Sequence, residues 1–297
     1  MNEAITNGGA RQASASCIRA IGLSRAQGGA GALDRILAAC ADALAQPGAV
    51  SAEAITHVVI AGATQDERDE LSALPSALGL PPAIGYTLVS ARGGAAGLAG
   101  LRIADACCRG PEIARVLVAS VGRALQGGHD ASAVLLCSLA VPATFDTLRI
   151  VRVATLTHRE DLGELTLSQG ESGFDLEGSD YLEALGTLDL PGLLHDCVGL
   201  TADDARRVSW AVHAGHSMLD ALERSFDLSP QALGPSRRVL QRHGADSAPA
   251  VFFILRGRLD RASGSGVIAA GLGPGPTLEI VRLASELRAD AAADRLA

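Results

Sequence analysis

The sequence predicts an α/β protein of two similar halves that share one core. Apolar runs of strand length alternate with helix-period patterns, and they do so twice along the chain, which is the sign of parallel sheets covered by helices. At 297 residues, 48% of them hydrophobic, the chain can bury a sizeable core. No linker rich in Pro or Ser separates the halves, so residues 14–141 and 142–297 are expected to pack as one body.

The elements follow in order. Residues 1–13 carry no periodic pattern and read as disordered. Residues 16–23 form a strand, and a Gly-rich turn leads to a helix over 33–44. The largely apolar run 55–60 fits a central strand buried on both faces. A short helix over 67–78 precedes a strand at 86–90. The Gly93-Gly94 turn then opens a helix over 95–108, followed by strands at 114–120 and 132–139. The second half repeats the plan with strands at 150–156 and 164–167, a helix after Pro191 and a strand at 208–212. Helices at 217–226 and 235–243, an apolar stretch at 250–255 and strands at 266–270 and 278–283 complete it. The Ala- and Asp-rich tail after Glu286 reads as a frayed helix.

Composition removes several functions. A net charge of -8, without a cluster of Arg or Lys, argues against nucleic acid, whose binding requires cations to displace counterions. No apolar run reaches the roughly 18 to 20 residues of a membrane span, and the first residues lack a basic stretch before an apolar one, so a soluble cytoplasmic protein is expected. The six cysteines, Cys17, Cys40, Cys107, Cys108, Cys137 and Cys197, have neither metal-ligand spacing nor the density of a disulfide scaffold. They read as reduced, mostly buried thiols, and no metal is expected. Aromatic residues, at 3%, offer no platform for stacking bases.

The most specific signal is Gly271-Leu272-Gly273-Pro274-Gly275-Pro276-Thr277-Leu278-Glu279. It resembles the Gly-Phe-Gly-Pro-Gly-Leu-Thr-hydrophobic-Glu loop of chalcone and stilbene synthases, the type III polyketide synthases. Before it, in matching order, come Ile55-Thr56-His57, Pro191-Gly192-Leu193, His213-Ala214-Gly215, and Arg238-Val239-Leu240 with Gly244 and Val251-Phe252-Phe253-Ile254-Leu255. The similarity runs from about Leu33 to Ser285. It implies a thiolase-like fold of two pseudo-equivalent βαβαβαββ halves, layered α/β/α/β/α. It also makes Gly271, Gly273, Pro274 and Gly275 a substrate-pocket loop, where residues without side chains let backbone approach a ligand closely.

The family resemblance implies three catalytic residues. A cysteine at a helix N-terminus takes the acyl group as a thioester, a histidine keeps that thiol ionised, and an asparagine joins the histidine in stabilising the carbonyl oxygen. The nucleophile position falls on Gly94 and the asparagine position on Ala245. Only His213 is retained. Cys107 and Cys108 lie too far along the same helix, about 20 Å at 1.5 Å per residue. Ser90, Ser247 and Asp246 are near the site in sequence, but a serine would need an activating base. His216 reads as helix surface.

Two segments that line the family's acyl cavity are also shortened: the connection from Leu23 to the helix at Leu33, and the stretch from Val121 to Gly127. The family's Phe-Gly-Asp-Gly turn is altered to Gly127-Gly128-His129-Asp130. The strand by which thiolase-fold proteins pair, residues 86–90, is intact. The resemblance therefore implies a non-catalytic, chain-length-factor-like subunit that pairs with an active ketosynthase, inactive alone and without a cofactor. The complex would use an acyl thioester of coenzyme A or of a carrier protein. Two alternatives stand beside it: an acyltransferase or hydrolase with His213 as general base and no covalent step, and a homodimeric scaffold.

Overall fold

The computed structural model describes residues 16–26, 30–89, 93–110, 112–123, 129–138, 145–157, 166–170, 173–177, 189–244, 247–259, 266–273 and 277–286. The segments expected to be a disordered start and a frayed tail lie outside them. The N-terminal half runs β1 (Ser16–Ala26), α1 (Ala32–Leu44), β2 (His57–Ala61), α2 (Gln65–Leu71), α3 (Leu74–Ala77), β3 (Gly85–Val89), α4 (Ala95–Cys108), β4 (Arg115–Arg123) and β5 (His129–Ser138). The C-terminal half runs β6 (Thr147–Thr157), β7 (Thr166–Gly170), β8 (Gly173–Glu177), α5 (Leu190–Val198), α6 (Ala202–Arg207) and β9 (Ser209–His213). It continues with α7 (His216–Phe226), α8 (Gly234–His243), α9 (Ala250–Leu259), β10 (Val267–Gly273) and β11 (Thr277–Glu286).

The expected helix over 67–78 is two short helices, the strand expected at 164–167 overlaps β7, and β8 and α6 were not foreseen. A reciprocal capping box starts α2: Glu67 N–H donates to Thr64 Oγ1, and Thr64 N–H donates to Glu67 Oε2 at 2.9 Å. The apolar stretch 250–255 is helical. It becomes α9, apolar nearly all round and buried in the middle of the molecule, as such a helix must be.

Nine strands form one sheet in the order β3-β2-β4-β5-β1-β6-β11-β10-β9. The expectation of parallel sheets needs correction. Among the described residues β2–β3, β2–β4 and β9–β10 are parallel, and the other ladders of this sheet are antiparallel. Connections as short as those from β4 to β5 and from β10 to β11 can only reverse the chain, whereas parallel neighbours need a crossover. The halves join where β1 pairs β6 through Cys17↔Arg149 and Ile18↔Leu148.

Period-two alternation then assigns side chains to layers. In β4, Val116 and Val118 enter the central core, while Leu117, Ala119 and Val121 point to α1, α2 and α3 on the far side. In β10, Val267 and Ala269 enter the same central core, while Ile268 and Ala270 face α5 and α7. The central core is closed by α4 and α9, which touch strands of both halves. Three helical layers thus alternate with the two halves of the sheet, giving the α/β/α/β/α order.

Candidate functional site

The start of α4 is where the landmark residues converge. Gly93, in the left-handed region at φ 64°, makes the turn that a side chain would strain, and Gly94 caps the helix. His213 ends β9, and its partner across the parallel ladder is Gly271 of β10. Both neighbours press on Gly94. A Cβ at position 94 would lie 2.5 Å from His213 Cδ2 and 2.8 Å from its carbonyl oxygen, and a Cβ on Gly271 would overlap the Gly94 carbonyl. His213 is 0% exposed. The position opposite the imidazole is therefore filled by the imidazole itself.

A buried carboxylate fixes this end of α4 to the sheet. Glu279 of β11 pairs with Gly271 in the ladder and accepts hydrogen bonds from Arg102 Nε (3.2 Å), Arg102 Nη2 (3.3 Å) and Thr155 Oγ1 (2.9 Å). Arg102 sits two turns into α4, so the ion pair ties the helix to β11 and β6. Sequence reading found Glu279 within its glycine loop but missed Arg102 and Thr155, which no local pattern links to it.

The loop that follows α8 is held from the other side. Asp130, 0% exposed, accepts from Ser247 Oγ (2.9 Å) and faces His243 Nδ1 at 2.6 Å. Arg25 lies 3.1 Å from His243 Nε2 and 3.6 Å from Asp130 Oδ1. The same Arg25 nitrogen is 3.4 Å from His243 Nδ1, so the guanidinium lies against the imidazole as well as beside Asp130. The Ala248 carbonyl packs onto α4, 2.5 Å from where a Cβ on Gly97 would stand.

The chain is similar in fold to solved type III polyketide synthases. A point mutant of CsyB matches with a TM-score of 0.73 at 16% identity, covering 92% of this chain and 100% of that one. A type III pentaketide synthase from Neurospora crassa matches with a TM-score of 0.70 at 17% identity, covering 91% and 100%. In sequence, residues 192–285 match the family model described as chalcone and stilbene synthases, C-terminal domain. Type III polyketide synthase B of Arabidopsis thaliana is 34% identical over 65 residues, which are 22% of this chain and 17% of that protein's length.

Within this chalcone-synthase-like fold, the residues singled out from sequence divide clearly. Gly94, His213 and Gly271 are brought together, and Gly273 ends β10 opposite Thr277. Ala245, Asp246, Ser90, Pro274 and Gly275 lie outside the described residues. Ser247 is buried and donates its hydroxyl hydrogen to Asp130. His216 is exposed at the start of α7. All six thiols are free and carry raised pKa values because burial disfavours the thiolate, Cys40 and Cys108 to about 12 and Cys137 to about 11. None has the low pKa of a reactive cysteine. Among the described residues there is no His, Cys, Asp and Glu cluster suited to a metal, and no helix is long and apolar enough to cross a membrane.

Proposed function

We propose that this chain is a non-catalytic, ketosynthase-like subunit that pairs with an active ketosynthase in polyketide or fatty-acyl-derived biosynthesis. The observation that carries the reading is the contact of Gly94 with His213. Where the family resemblance calls for a thiol facing an imidazole, this chain has a glycine pressed against the ring, with no sulfur to carry an acyl group and no gap to hold one. The buried ring also disfavours His213 as general base toward a diffusing thioester, because such a base must come within hydrogen-bond reach of its substrate.

Pairing has a surface to use. Among the described residues β3 pairs only with β2, so its outer edge presents unpaired backbone groups. Tyr86 is 38% and Leu88 45% exposed on that strand, two residues apart and hence on one face. A partner strand added there would extend the sheet and cover both side chains. The test is co-expression with a ketosynthase that retains Cys, His and Asn and is encoded beside this chain. Co-purification, with a change in that enzyme's rate or product length, is the expected result. A partner that elutes alone and makes the same products at the same rate without this chain overturns the proposal, as does covalent acylation of the isolated chain followed by elongation.

A further inference from the structure

The second inference concerns a different face of the molecule. All 25 basic residues of the chain are arginines, in a sequence whose net charge is -8. Several described guanidinium groups answer to a carboxylate: Arg35 to Glu67, Arg102 to Glu279, Arg109 to Asp105, Arg282 to Asp204. On α8, Arg237 is taken by Asp220 at 2.6 Å and Glu223 at 2.8 Å. Its neighbour Arg238 and, one turn on, Arg242 point the other way, into a cleft of about 290 Å³ between α8 and α9 that Arg258 also lines. No described carboxylate pairs with Arg238 or Arg242.

The cleft has two characters. Its floor is apolar, from Val239, Phe253 and Ile254, and its rim carries three guanidinium groups from two helices, neither of which contains an acidic residue. Asp130, which holds His243 from behind, is fully buried and occupied by His243 and Ser247. Guanidinium forks match the oxygens of phosphate in pairs, and Arg238 and Arg242, one turn apart on α8, can grip one phosphate group between them. The volume lies at the small end for a ligand pocket and admits a headgroup with a short apolar body.

We propose that this cleft binds a phosphorylated small molecule, its phosphate held by Arg238 and Arg242 and its apolar part laid on Val239, Phe253 and Ile254. It is separate from the Gly94–His213 contact and does not depend on the pairing proposed above.

The experiment is calorimetric titration of the full chain with inorganic phosphate, butyl phosphate and, for comparison, succinate and an acidic peptide. Saturable binding of a phosphate probe, with butyl phosphate tighter than inorganic phosphate, is expected for the natural sequence. The double variant Arg238→Gln, Arg242→Gln should weaken it at least about tenfold, while Arg206→Gln on α6 should leave it unchanged. Both groove side chains are exposed, so the double variant should keep its melting temperature, and Arg242→Gln alone gives a smaller loss as a second check. The proposal is overturned if no phosphate probe saturates, if the double variant binds as well, if Arg206→Gln loses as much, or if succinate binds equally. Preference for an acidic peptide over both phosphates, lost in the double variant, also overturns it and makes the cleft a protein-docking site.

Discussion

The two helices of the central layer, α4 and α9, close the same core and are built in opposite ways. The first turns of α4 read Ala95, Ala96, Gly97, Leu98, Ala99, Gly100, all buried, whereas α9 fills its surroundings with Val251, Phe252, Ile254 and Leu255. The difference is complementary. A Cβ on Gly97 would lie 2.7 Å from the Phe252 ring, and one on Gly100 3.0 Å from Val118. Small residues in α4 let the sheet, the His213 strand and the loop after α8 come down onto its backbone, and large residues in α9 occupy the volume this leaves. A glycine at the site is thus part of a packed arrangement and not an open slot awaiting a thiol.

The sharpest way to break this comparison is from the large side. Phe252→Ala removes a fully buried ring that packs on Gly97, and about 3–5 kcal/mol of stability should be lost in urea unfolding. A loss below about 1 kcal/mol would mean that the two helices are not packed against each other as described.

From the small side, Gly94→Cys places a Cβ against the His213 ring and should cost about 1–3 kcal/mol. The isolated variant should still fail to form an acyl adduct with a thioester donor, as read by intact mass. Normal stability together with acylation would show that only the sulfur is missing.

The tie between α4 and β11 should be weaker. Arg102 is 41% exposed, so solvent screens its pair with Glu279, and Glu279→Gln should cost about 1 kcal/mol.

At neutral pH the smallest effect is expected from the thiols, whose burial bears on stability only in alkali. Their ordinary pKa is 9.0, and burial pushes Cys40 and Cys108 up to about 12 and Cys137 to about 11. Above pH 9 the unfolded chain releases protons that the folded chain retains, so stability is complete below pH 9 and falls progressively from there to about pH 12. Melting temperature measured from pH 8 upward should decline across that window, and Cys40→Ala should flatten the decline. A flat profile for the natural sequence would mean that these thiols are solvated.

Much of the fold was legible because its signals are local. The helix over 95–108 appears with the predicted bounds, since a Gly-Gly turn, a run of small helix formers and a following break all lie within one window. The strands of the first half appear within a few residues of expectation because buried strands read as short apolar runs. Strand direction was less legible. Alternation of helices and strands suggests crossovers, but the β4–β5 and β10–β11 pairs are consecutive strands whose connections are too short for one. Likewise 250–255 carried no periodicity, because the first turns of α9 are apolar all round and show no polar face to reveal their period.

The order of the elements, the inward and outward faces of each strand and the glycine loop ending at Glu279 were set by the amino-acid sequence alone, since each depends on residues within a few positions of one another. The pressing of His213 on Gly94, the anchoring of Arg102 by a glutamate 177 residues away and the joining of Asp130 to a histidine 113 residues on belong to the tertiary structure. Contacts across such distances arise only when packing brings two helices and two sheet halves to one place. No periodicity along the chain encodes where that place will be.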